Sequence, residues 1–155
     1  MSALRTTIPA GHRPVVTASG HIPYQLPGSA DPTYCRARLT ASLPRLARLM
    51  APLKGILMTR LEEPAVWVVN THLLANFDGD WSSNNRYYAL HRHQLATLAR
   101  VLGSLAGPLI VSGDFNVARD SSLFEDFTAE SRLADAFNGA CPPTFHPEYL
   151  GPRED

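Results

Sequence analysis

Leu109-Ile110-Val111-Ser112-Gly113-Asp114-Phe115-Asn116 is an apolar run that ends in an acidic turn. A companion lies upstream, Val66-Trp67-Val68-Val69 running into Asn70-Thr71-His72-Leu73. Each has the pattern of a buried strand that delivers a polar side chain to the rim of a sheet. Between them, Arg86 to Leu105 carries apolar side chains at Tyr87, Leu90, Leu95, Leu98, Val101, Leu102 and Leu105, which predicts a helix with one buried face, closed by Gly107-Pro108. Strand, helix, strand is a crossover unit, so the two strands are predicted to be parallel and to end on the same edge. His72 and Asp114 are therefore expected at one rim.

Working outward, Gly55 to Leu61, the turn Glu62-Glu63-Pro64 and Ala65 to Asn70 read as a hairpin whose second strand is buried on both faces. A long polar loop follows, from Asn76 to Asn85, of a kind that often carries function. Beyond Asn116, Arg119-Asp120-Ser121-Ser122 supplies an N-cap for a short helix through Leu123, Phe124 and Phe127, and Leu133 to Phe137 reads as another short apolar element. Residues 1 to 53 are punctuated by seven prolines, Pro9, Pro14, Pro23, Pro27, Pro32, Pro44 and Pro52, so no long regular element is expected before Tyr34. Pro14 to Ala18 suits a short strand. Leu39 to Met50, with Leu39, Leu43, Leu46, Leu49 and Met50 at helical spacing, suits a marginal helix interrupted at Pro44. Arg36, Arg38, Arg45, Arg48 and Lys54 make that region locally basic, which a solvated face explains better than a phosphate-facing one.

The 155 residues fit one domain, and 45% apolar with 18% charged residues places the chain among globular proteins. Fourteen basic residues balance fourteen acidic ones, so there is no electrostatic footprint for tight duplex binding. Cys35 and Cys141 make neither a disulfide scaffold nor a zinc ribbon and read as free thiols, consistent with a cytoplasmic protein. Met1 to His12 lacks the apolar core of a signal peptide, and no run reaches the roughly 18 apolar residues needed to span a bilayer.

The chemistry available at the rim is that of phosphate esters. An aspartate at Asp114 can bind a hard cation or take a proton from water; the Asn116 amide can donate to a phosphoryl oxygen, and it points the same way as Asp114 if the strand continues. His72 can protonate a leaving oxygen or steady charge at phosphorus. Each motif has a plainer reading: an Asx turn at Gly113-Asp114-Phe115-Asn116, and a hydrogen-bonded core histidine at His72. His91 and His93, two apart on a helix, face different sides and cannot chelate zinc together. His12, His21 and His146 are expected to be exposed. Trp67 reads as core, whereas Trp81 suits a ligand contact and a cap on the core equally.

Asn70-Thr71-His72-Leu73, Gly113-Asp114-Phe115-Asn116 and the intervening helix with Gln94 and Leu95 make the chain resemble the endonuclease/exonuclease/phosphatase superfamily, the DNase I-like fold. Lys54-Gly55-Ile56-Leu57 and Pro143-Thr144-Phe145 resemble it too, and Thr71 to Ala75 is most similar to the neutral sphingomyelinase-like branch. The likeness covers roughly residues 52 to 149 and implies an α/β four-layer sandwich of two mixed sheets with helices outside. It implies a magnesium-dependent (or manganese-dependent) hydrolase of phosphodiesters, whose substrates include lipid head groups, nucleic acid and small phosphate esters. By motif, His72 corresponds to the histidine acting on the phosphoryl group, Asp114 to the aspartate that positions water and meets the metal, Asn116 to the asparagine orienting phosphate, and Asn76 to a substrate contact.

The chain also departs from that pattern. The family's early strand with the glutamate that is the main magnesium ligand has no counterpart: Glu62 and Glu63 fall in the hairpin turn, and no earlier glutamate exists. No closing Ser-Asp-His strand is present, and His91 stands where an arginine is usual. The expectation is a single partial domain over 1–155, with 1–53 weakly matched and 54–149 bearing the motifs. Such a piece would be catalytically incomplete and prone to self-association through exposed sheet edges. A non-catalytic interaction module that keeps the scaffold is the alternative.

Overall fold

The computed structural model describes residues 16–23, 42–138 and 140. Cys35, Cys141, His12, His146, Arg36, Arg38, Leu39 and the Pro143-Thr144-Phe145 segment lie outside the described residues. The described residues form a mixed α/β structure with a sheet in the order β1 (Val16–Pro23), β2 (Gly55–Leu61), β3 (Val66–His72) and β4 (Leu109–Asp114). β1 and β2 pair antiparallel, β2 and β3 form the expected antiparallel hairpin, and β3 and β4 are parallel. β1 runs further than the expected Pro14 to Ala18, through Gly20 to Pro23.

The crossover helix α2 (Tyr88–Gly103) joins β3 to β4, following the short helix α1 (Arg45–Met50), and α3 (Ser122–Ser131) packs against α2. The periodicity of α2 translates directly into burial. Leu95, Leu98, Ala99 and Leu102 meet Ile56 and Val69 from the sheet and Leu123 and Phe127 from α3 in one core. α3 begins as its sequence dictates, the Ser121 hydroxyl accepting from the Phe124 N–H at 3.3 Å. It ends at Arg132, whose φ of 56° is left-handed.

Three expectations need correction. First, β3 and β4 are covered on one face only. Side chains facing the helices (Val69, Thr71, Val111) are buried or half-buried, whereas Asn70, His72, Ile110 and Asp114 are exposed on the other face, Ile110 at 57%. An apolar run cannot by itself tell a strand covered twice from one covered once. Second, the buried stripe around α1 is Leu43, Ala47 and Ala51, spaced four apart, which packs on Leu74, Tyr87 and Leu90; Leu46 and Leu49 are exposed. The helix starts after Pro44 rather than being interrupted by it, as the fixed φ of proline favours at a helix start. Third, Leu133 to Phe137 forms no regular element; Arg119 pairs with Asp135 and lies over the Phe124 and Phe137 rings. Among the described residues no helix is long and apolar enough to cross a membrane.

Candidate functional site

The parallel register sets His72 directly opposite Asp114 at the last pair of the β3–β4 ladder. Partners in register share a face, and both side chains lie on the open one. His72 Nε2 is 3.8 Å from Asp114 Oδ2, with about half or more of each side chain exposed. On the same face one step back, Asn70 Nδ2 reaches Ser112 Oγ at 3.4 Å. The pair is thus open to solvent and close enough to act on one group.

Asn116 does not join them. β4 stops at Asp114, and Asn116 takes a left-handed φ of 49° that turns its side chain inward, where Nδ2 donates to the Leu73 carbonyl at 3.0 Å. Its own N–H donates to Asp114 Oδ1 at 3.1 Å. This is the Asx turn that the plainer reading anticipated, and asparagine suits it because its short amide tolerates the left-handed region. The expectation that Asp114 and Asn116 aim at a common point is therefore corrected: the amide is a brace between the two rim turns.

Asn76 belongs to a self-bonded loop. Its Nδ2 donates to the Asp80 carbonyl at 2.8 Å and its Oδ1 accepts from the Asp78 N–H at 3.0 Å. Asp78 in turn is held by the Arg86 guanidinium, whose hydrogen bonds keep that carboxyl below the usual range. Trp81 caps the core and donates from its indole to the Asn116 carbonyl at 2.9 Å, tying this loop to the rim.

Two side chains that brace the rim emerge only in three dimensions. His91 Nε2 donates to the Leu74 carbonyl at 2.7 Å, and Gln94 Oε1 accepts from the Leu74 N–H at 3.3 Å. Both are fully buried on α2, and together they clamp the backbone two residues past His72. Burial holds the His91 imidazole below the ordinary histidine range. The signal for them was a polar pair three apart inside the apolar face of a helix, a spacing that puts both on one side. Lys54, immediately before β2, is also at this rim: β2 runs antiparallel to β3, and Ile56 is opposite Thr71.

Among the described residues no three His, Cys, Asp or Glu side chains come together. Asp114 is the carboxylate at the rim, and one of its oxygens already accepts from Asn116. A scan of protein families and searches of curated proteins and solved structures return no match for this chain.

Proposed function

We propose that the chain is built on the scaffold of metal-dependent phosphodiester hydrolases, the DNase I-like superfamily, and that it binds a phosphate ester at the His72–Asp114 rim. The observation that carries this reading is the pairing of an exposed imidazole and an exposed carboxylate in direct parallel register. A neutral or protonated imidazole N–H donates to a phosphoryl or leaving oxygen, and a carboxylate accepts a proton from water. The uncovered sheet face, with Leu57 and Ile110 exposed, is where the second sheet of a four-layer sandwich would pack.

The described residues do not fit a magnesium or manganese site, since one partly engaged carboxylate falls short of the several oxygens such ions take from protein and substrate. The 155-residue chain is therefore expected to bind esters without turning them over. The same shortfall favours a second reading, a non-catalytic interaction module that retains the scaffold.

Bis-p-nitrophenyl phosphate tests both. Added to the isotope-labelled chain, it is expected to shift the His72 imidazole resonances while releasing no p-nitrophenol in magnesium or manganese. An unmoved His72 signal would refute the phosphate-ester reading. Metal-dependent release that Asp114→Ala abolishes would instead show a complete hydrolase. Calorimetric titration with magnesium adds a further arm, because a module without chemistry has no site that Asp114→Ala removes.

A further inference from the structure

We propose that Lys54, at the start of β2, is the cationic half of a phosphate-oxygen subsite whose other half is His72, a proposal that rests on the phosphate-ester reading of the rim. Lysine ordinarily keeps its ammonium in water, yet Lys54 is only 8% exposed. Among the described residues its ammonium has neither a hydrogen-bond acceptor nor an ion-pair partner, although an ammonium carries three donors. The stem is covered while the ammonium itself is not sealed from solvent, so it opens on the cleft with its donors available to an incoming anion.

The surroundings say where the anion would sit. Lys54 lines a cavity of about 370 Å³ together with Asn70, Thr71 and His72, while Met50, Leu53 and Leu57 form its apolar wall. That volume lies near the lower end for small-molecule sites. Lys54 reaches it because the short 3-10 turn Ala51–Leu53 stops there, and the Lys54 N–H closes the turn on the Ala51 carbonyl at 3.3 Å. Burial pulls the ammonium below the ordinary lysine value and the nearby Asp114 charge pulls it back up, so Lys54 faces the rim electrostatically as well as through the cavity. Asp114 acts on that ammonium only at longer range than an ion pair, and as a carboxylate it opposes an incoming anion.

The test is titration of the full chain with inorganic phosphate, followed by resonances of the Lys54 side chain and the His72 ring. Both are expected to shift together. Lys54→Met should weaken phosphate about tenfold or more, Lys54→Arg should recover much of the loss, and Asp114→Asn, which removes a like charge from the rim, should tighten binding. Circular dichroism checks that the variants fold. If Lys54→Met does not fold, the wild-type titration decides alone: His72 shifting while Lys54 stays still overturns the subsite and leaves the ester reading intact. Wild-type affinity in a folded Lys54→Met chain overturns it equally. If neither residue responds to phosphate or to bis-p-nitrophenyl phosphate, the subsite and the reading beneath it both fail.

Discussion

Replacing Gly113 by alanine is expected to destabilise the chain by about 3 kcal/mol or more, lowering the melting temperature by roughly 10 °C. Gly113 has a φ of 135°, a region essentially reserved for glycine, and a Cβ there would lie 1.9 Å from the Thr71 carbonyl oxygen. Thr71 is its ladder partner, so the clash falls between β3 and β4 one residue before His72 and Asp114. Neither backbone can yield without opening the parallel pair that juxtaposes the two side chains. Gly79→Ala is the control: Gly79 also has a positive φ, 66°, but nothing lies within 4 Å of its would-be Cβ. Its cost should stop at about 1 kcal/mol, the conformational penalty alone. Chemical denaturation of both variants measures the difference, and equal losses would show that the close approach does not matter.

The second large effect concerns His91. Leucine at this position strands the buried Leu74 carbonyl and is expected to cost about 1–3 kcal/mol. Glutamine keeps a donor of similar reach and should cost less. The two variants also separate hydrogen bonding from titration. In the fold His91 donates through Nε2, and among the described residues its Nδ1 has no partner. Protonating Nδ1 places a desolvated charge beside the Tyr87 ring, which is why the folded-state pKa lies below the ordinary 6.5. The unfolded chain therefore binds the proton more readily. Stability from this residue is complete above about pH 6.5 and is lost as the pH falls from there through the lower folded value. Denaturation midpoints measured across that window should slope in the wild type and flatten in His91→Gln. A slope that survives the substitution would assign the acid sensitivity elsewhere.

Much of this rim was legible in the chain before any coordinates. Two apolar runs, each ending in a polar residue and separated by one amphipathic stretch, are enough to place His72 and Asp114 together, because a crossover connection makes the strands parallel. What escaped the sequence depends on long-range packing. The inward turn of Asn116 requires the Leu73 carbonyl as its partner, and nothing near Asn116 in sequence announces it. Gly113 looks like an ordinary turn glycine until Thr71 is seen beneath it. The exposure of Ile110 and Leu57 was hidden because an apolar side chain carries no mark of what covers it. At α1 it is Ala47, on a stripe with Leu43 and Ala51, that faces inward while Leu46 and Leu49 stay outside, and apolar spacing alone does not choose between the two faces.

The antiparallel hairpin has a consequence for how the chain can be re-engineered. Lys54 enters at the start of one strand and His72 leaves at the end of the next, so everything gathered at the rim lies at one pole of the sheet. The connecting turn at Glu62 and Glu63 is exposed and lies at the opposite pole. Chain length there is uncoupled from the register at the rim, which makes that turn the natural point for inserting a tag, a reporter or a new pair of termini.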